Sequence, residues 1–178
     1  MVRFVVIAAT DMEMGIGKDG SIPWKLPQEL AFFKEVTTRT EDPNKQNVVI
    51  MGRKTWESLP EKYRPLPNRM NLILTRDVDW GFQTQDIDYP DKCWCLTSLE
   101  DALDLAETPD TETVFVIGGG EVYKEALAHP DCHLLILSQI PEVYECDTFL
   151  QIPERFEVVT RQPQVEFDVF WLMPKEDS

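Results

Sequence analysis

Two runs in this chain, Asn47-Val-Val-Ile-Met51 and Thr113-Val-Phe-Val-Ile117, are apolar at almost every position, and each leads straight into glycine and a helix-forming stretch. A strand that buries one face alternates apolar and polar residues, whereas a strand without alternation is buried on both faces. Such strands need helices on both sides, so the expected fold is an α/β domain on a mostly parallel sheet with right-handed crossovers. Further strands are predicted over 3–9, 70–75, 92–96 and 133–139, and four helices over 27–37, 54–59, 98–107 and 121–128. Residues 155–160 and 166–173 follow one another without a helix, which predicts an antiparallel pair at one sheet edge. Loops are expected at 14–23, 40–46, 60–68 and 78–91. At 178 residues, with no internal repeat or low-complexity linker, 1–178 is expected to form one domain.

Charge narrows the function classes. With Lys+Arg 17 against Asp+Glu 32, the net charge of −15 argues against nucleic acid or an anionic membrane as partner, since both demand clustered positive charge. No stretch approaches the ~20 apolar residues that span a bilayer. Arg3 and the apolar run 4–9 are too short for a signal peptide and lead into Asp11 and Glu13, so the run reads as a first core strand. Cys93, Cys95, Cys132 and Cys146 lack the CxxC spacing of zinc or redox sites, and Pro130 interrupts any helical pairing of His129 with His133. Free thiols in a reducing cytoplasm, and no metal, are the expectation.

Three segments carry candidate chemistry. In Ile22-Pro-Trp-Lys-Leu-Pro-Gln-Glu-Leu-Ala-Phe-Phe33, Pro27 suits the first helical position and Leu26, Leu30 and Phe33 form an apolar stripe. Glu29 stands three residues after Leu26 and four before Phe33, inside that stripe. It reads either as a first-turn acid favoured by the helix dipole or as a buried carboxylate with a raised pKa facing a ligand. Ile117-Gly-Gly-Gly-Glu-Val-Tyr123 follows a buried strand, where glycines let a pyrophosphate approach backbone N–H groups or simply make a tight turn. Arg53, Lys54 and Arg76 gather, in a chain poor in cations, at two strand ends where α/β ligands bind, a setting suited to a terminal phosphate or to surface ion pairs. Arg69, isolated after Pro67-Asn68, reads as a fork for a ligand carboxylate or as a surface ion pair.

In order along the chain, Met14-Gly-Ile-Gly-Lys18, Pro23-Trp24 with Leu26-Pro27 and Glu29, Val49-Ile-Met-Gly-Arg-Lys-Thr-Trp56, Arg64-Pro-Leu66, Asn71-Leu-Ile-Leu-Thr-Arg76, Ile117-Gly-Gly-Gly120 with Val122-Tyr123, and Asp147-Thr-Phe149 resemble dihydrofolate reductase across nearly the whole length. The resemblance implies hydride transfer from C4 of NADPH to C6 of 7,8-dihydrofolate, giving tetrahydrofolate for one-carbon metabolism. It makes Glu29 the acid that holds the pterin 2-amino group and N3 and assists protonation of N5, with Trp24 ordering a water beside it. Ile7, Ala9, Leu30, Phe33 and Leu59 would wall the pterin and benzoyl pocket, and Arg69 would clamp the α-carboxylate of the glutamate tail. Residues 14–22 would form a mobile loop over the nicotinamide, with Ala9, Ile16, Gly17, Gly20 and Ser21 touching the cofactor. Gly52, Arg53, Lys54, Thr55, Leu74, Thr75 and Arg76 would surround its adenosine end. Ile117, Gly118, Gly119, Gly120, Glu121, Val122 and Tyr123 would line its pyrophosphate and nicotinamide side, with a cis peptide at Gly118-Gly119. Antifolate binding, a monomer and a cytoplasmic location follow from the same resemblance.

Three departures from the family pattern stand out. Ser138 occupies the place of a threonine bonded to the acid, Leu30 replaces an aromatic, and Tyr63 replaces an asparagine that contacts substrate. Two other readings compete: an NADPH-dependent pyrimidine reductase of riboflavin synthesis, which would not need Glu29 beside Pro23-Trp24, and a non-catalytic folate- or nucleotide-binding protein of the same fold.

Overall fold

The computed structural model describes residues 3–176. Its elements run β1 (Phe4–Thr10), β2 (Gly15–Gly17), α1 (Pro27–Thr38), β3 (Gln46–Gly52), α2 (Arg53–Ser58), β4 (Arg69–Leu74), α3 (Val78–Phe82), β5 (Cys93–Leu96), α4 (Leu99–Ala106), β6 (Thr111–Val116), α5 (Gly120–Ala128), β7 (Cys132–Gln139), β8 (Thr148–Phe149), β9 (Phe156–Pro163) and β10 (Asp168–Pro174). Eight strands form one sheet in the order β5-β4-β3-β6-β1-β7-β10-β9, while β2 and β8 make a separate two-stranded ribbon. The sheet is parallel from β5 to β7, and β10 and β9 close its other edge antiparallel.

The unalternating runs behave as their composition demands. Val48, Ile50, Val114 and Val116 enter one apolar cluster with Leu99, Leu103 and Leu127 of α4 and α5. Their neighbours Val49, Met51 and Phe115 enter a second, on the opposite face, with Trp24, Trp56 and the flank of α1. Each such side chain, fully buried, contributes about 1.5–3 kcal/mol, so both faces of the central strands stabilise the sheet.

Segments expected as loops hold local structure. Residues 78–91 contain α3 and a π-helical stretch, Gln83–Asp88, giving five α-helices in place of four among the described residues. Asp77 caps α3 by accepting from the Trp80 N–H at 3.1 Å. The stretch covers the open edge of β5, where the Cys95 N–H donates to Gln85 Oε1 at 2.7 Å. Residues 14–23 contain β2, and 60–68 contain a 3₁₀ turn at Glu61–Tyr63.

Candidate active site

α1 begins at Pro27, whose fixed φ suits the first turn, and the Glu29 and Leu30 N–H groups both reach back to the Leu26 carbonyl at 3.1 Å. Its far end is tied to the sheet. Asn47 of β3, itself buried, donates to the Thr37 and Arg39 carbonyls at 3.0 and 2.9 Å, and its amide oxygen accepts from the Thr113 N–H of β6 at 3.1 Å. The face so oriented carries Glu29, Phe32, Phe33, Val36 and Thr37 inward. The stripe expected from the sequence is therefore corrected at Leu30, which is 58% exposed.

Glu29 is 7% exposed, and burial pushes its carboxyl from the ordinary 4.5 up to about 7. No hydrogen bond to another side chain relieves it among the described residues. Ser138 is buried on β7 opposite Ala9, but it makes no hydrogen bond to Glu29 there, so the link implied by the resemblance is not formed. Tyr123 lies within electrostatic reach: burial, then the Glu29 charge, push its phenol upward. The phenol points at the carbonyls of Ile7 and Ile117, 2.8 Å from each, and its one hydrogen serves one carbonyl at a time. The acid is thus within electrostatic reach of a phenol seated between β1 and the end of β6, and open α/β sheets take ligands at the carboxyl ends of their strands. Ile7, Trp24 and Ile117 are buried there, with Ala9, Phe33 and Leu59 half-buried against the same cluster.

Arg69 sits at the start of β4, opposite Asn47 in the sheet register, and at the far end of α1 from Glu29. It is buried, donating through Nε to the Pro67 carbonyl at 3.0 Å and through Nη1 to Thr37 Oγ1 at 2.9 Å. Burial lowers its pKa. Thr37 lies eight residues beyond Glu29 (37 − 29), so acid and guanidinium are separated by about 12 Å along the helix at its usual rise. Tyr63, by contrast, is 54% exposed on the 3₁₀ turn.

A second part of the site lies at the ends of β3, β4 and β6. The Gly52 N–H donates to the Gly118 carbonyl at 2.8 Å, which locks two strand ends together. The Gly118–Gly119 peptide is cis, as the resemblance implies. Gly118 has φ +129, and a Cβ added there would meet the Tyr123 ring at 3.3 Å and Thr55 Oγ1 at 3.4 Å. Glycine is therefore required, and Gly120 then opens α5 with free N–H groups beside a hydroxyl, a cradle that fits a pyrophosphate. Beyond Thr75, the ends of β4 and β5 enclose a cavity of about 200 Å³ lined by Thr75, Leu96, Thr97, Gly81 and Cys95, among others. The cations there differ. Arg53 is occupied, paired with Glu57, reaching Asp77 at 3.3 Å and lying 4.5 Å over the Trp80 ring. Lys54 and Arg76 are exposed and without an ion pair among the described residues.

Residues 14–23 fold back over this edge. Asp19 (φ 51) and Gly20 (φ 79) take the positive φ values of a type I′ turn, closed by the Lys18 and Ser21 backbones at 2.8 and 3.0 Å. The Asp19 N–H donates to Asp147 Oδ2 at 2.9 Å, and the Asp147 N–H donates to the Gly17 carbonyl at 3.0 Å. Ile16 and Thr148 thereby come within 4 Å of where a Gly120 side chain would stand. Asp11, which sequence reading passes over, is a buried carboxylate at the root of this segment. Nothing in the pattern marks it, because it lies one residue past a strand and only the return of the chain at 144–146 buries it.

Residues 3–168 match a family model described as dihydrofolate reductase. The chain is 48% identical over 172 residues to a bifunctional dihydrofolate reductase-thymidylate synthase of Zea mays, covering 94% of this chain and 30% of that protein. It is 44% identical over 170 residues to a dihydrofolate reductase of Candida albicans, covering 93% of this chain and 83% of the relative. A dihydrofolate reductase of Drosophila melanogaster is 41% identical over 161 residues, covering 89% and 85%. The chain thus spans under a third of the length of its bifunctional plant relatives and most of the length of the fungal and insect ones.

Proposed function

Because the chain belongs to the dihydrofolate reductase family, we propose that it reduces 7,8-dihydrofolate to 5,6,7,8-tetrahydrofolate with NADPH. The observation that carries this reading is Glu29: a buried acid, without an ion pair among the described residues, whose carboxyl is pushed up to about 7 by burial and which lies within electrostatic reach of Tyr123. Bound there, NADPH supplies the hydride, from nicotinamide C4 to pterin C6. Glu29, ionised, accepts hydrogen bonds from the pterin 2-amino group and N3, and its nearness to neutrality suits it to assist protonation at N5. Trp24 orders the water through which that proton moves, and the hydroxyl of Ser138, buried on β7 opposite Ala9, holds the ionised acid once substrate is bound. Ile7, Ala9, Leu30, Phe33 and Leu59 wall the rings, and the exposure of Leu30 supports a place at the pocket mouth. Arg69, held by Pro67 and Thr37, turns its guanidinium to the tail α-carboxylate, and the span of about 12 Å along α1 suits a pterin joined to a benzoyl-glutamate.

For the cofactor, Gly118, Gly119, Gly120 and Glu121 with Thr55 take the pyrophosphate, and Ala9, Ile16, Gly17, Gly20, Ser21, Ile117, Val122 and Tyr123 bound the nicotinamide side. Gly52, Leu74 and Thr75 take the adenosine, with Lys54 and Arg76 reading its 2′-phosphate and Arg53, held by Glu57 and Asp77, at the same end. The reading extends to one domain over 1–178, a monomer, antifolate binding and a cytoplasmic location. Among the described residues no helix is long and apolar enough to cross a membrane.

The test is NADPH consumption by the purified protein with and without 7,8-dihydrofolate, with NADH in parallel. Rapid dihydrofolate-dependent consumption that favours NADPH is expected. NADPH binding without consumption would overturn the activity and leave a binding protein, while equal use of NADH would discard the roles of Lys54 and Arg76.

A further inference from the structure

Asp11 is a fully buried carboxylate that the proposed reaction does not use. Its Oδ1 accepts from the Glu13 N–H at 2.9 Å and the Gly15 N–H at 2.8 Å, closing a turn in which Met14 holds φ 66. Its Oδ2 accepts from the Tyr144 N–H at 3.0 Å and from Cys146 Sγ at 3.6 Å. One carboxylate therefore clasps two chain segments more than 100 residues apart, one leading into 14–23 and one into β8. The closeness is tight: a Cβ on Gly15 would stand 2.5 Å from both Cβ and Sγ of Cys146. The clasp also reaches the acid's surroundings, because the Tyr144 ring packs on the Trp24 indole with centroids 5.5 Å apart, and Trp24 is buried five residues before Glu29.

We propose that Asp11 is a positioning residue for hydride transfer: its two oxygens fix the root of the 14–22 segment against 144–146, and through the Tyr144 ring they fix Trp24 beside Glu29. The inference rests on the reading of the site given above. Four donors converging on one carboxylate over-determine the local geometry, and removing its charge weakens all four and turns the two at one oxygen from attraction to repulsion. Asp11→Asn keeps the volume, but whichever way the amide turns, its NH₂ meets N–H donors on one of the two segments.

Two readouts test this in Asp11→Asn. Single-turnover hydride transfer is expected to slow by about 10- to 100-fold, while KM for dihydrofolate moves by less than about twofold, as misplacement of a bound ring pair demands. Cleavage after Lys18 by a lysine-specific protease, without ligands, is expected to accelerate by about tenfold as the segment detaches. A Tyr144→Leu variant keeps the clasp's backbone donor and removes the ring with its hydroxyl's bond to Glu142, so it should slow hydride transfer without exposing Lys18. If Asp11→Asn does not fold, Asp11→Ser, which opens space in place of a repelling donor, should move both readouts the same way. Hydride transfer within twofold of wild type, or unchanged cleavage in a folded Asp11 variant, overturns the proposal. Should wild-type protein fail to oxidise NADPH with dihydrofolate, the activity assigned above fails, and cleavage at Lys18 still decides whether Asp11 holds the segment.

Discussion

Glu29 and Asp11 are both carboxylates buried near the carboxyl ends of the same sheet, yet they lie on opposite sides of the ordinary carboxylate range. Glu29 has no side-chain partner among the described residues, so burial alone acts and raises it to about 7. At Asp11 burial also raises the pKa, but hydrogen bonds from Tyr144, Gly15, Glu13 and Cys146 outweigh it, and the net shift is downward. Two differences, the depth of burial and the number of donors aimed at the oxygens, separate a group able to exchange a proton near neutral pH from one that holds chain segments in place. Low surface exposure alone is therefore a poor guide to role, while depth of burial and the hydrogen-bond inventory together are a good one.

The strongest test of that contrast is Glu29→Gln. Turnover of dihydrofolate at pH 7 is expected to fall by about 10²- to 10⁴-fold while NADPH affinity, read by fluorescence titration, is retained. Turnover near wild type would show that the unpartnered acid is not the one that matters.

Stability against pH sharpens the comparison, because the two shifts have opposite signs. The folded protein holds the Glu29 proton more tightly than the unfolded chain, so stability is full below 4.5 and is lost as pH rises towards 7. The loss is about 3 kcal/mol by the usual conversion, and Glu29→Gln, which cannot ionise, should unfold at a higher denaturant concentration than wild type at pH 8 but not at pH 4. Asp11 contributes stability above its ordinary 3.8, and that contribution is lost as pH falls through its lowered value. Asp11→Asn should therefore be the less stable protein at pH 7, with the gap narrowing in acid. Parallel urea melts from about pH 2 to pH 8 check both slopes, Asp11 below its ordinary 3.8 and Glu29 above 4.5, and slopes of the same sign would undo the distinction.

The glycine cradle sets a smaller effect. Gly118→Ala places a Cβ at φ +129 and 3.3 Å from the Tyr123 ring, with an expected cost of about 1–3 kcal/mol in stability and weaker NADPH binding, both measurable by melts and titration. Smallest is the contrast between a free and an engaged cation. Lys54→Gln should reduce the preference for NADPH over NADH by about 1 kcal/mol, roughly fivefold, whereas Arg53→Gln, already paired with Glu57 and Asp77, should change it less.

Much of this architecture could be read from residue order. The unalternating runs at 47–51 and 113–117 fall on β3 and β6, neighbours in the interior of the sheet, and the antiparallel edge falls where two strand patterns follow without a helix. The helix at Val78–Phe82 escaped because Gly81 interrupts any apolar stripe. Gly81 is there for packing, since a Cβ would lie 3.2 Å from the Cβ of Cys95, and the legible signal was Asp77 as a cap. Glu29 was legible from helical phase, although Leu30, apolar and exposed, shows that apolar spacing near a cleft does not separate wall from core. Asp11 could not be found that way: its donors come from 13–15 and from 144–146, and no local pattern encodes a contact made by the return of the chain.

The strand order has a consequence for how the protein is made. β1 pairs only with β6 and β7, whose residues begin more than 100 positions downstream, and β3 reaches β1 only through β6. As the chain leaves the ribosome, β3, β4 and β5 can assemble from neighbouring sequence, whereas the first strand synthesised waits without a partner until residues 111–139 emerge. The segment carrying Ile7, Ala9 and Asp11 thus emerges before both strands that pair with β1 and is seated after them. A nascent chain halted before β6 therefore has neither the paired β1 nor Tyr123, whose hydroxyl bridges β1 and the end of β6.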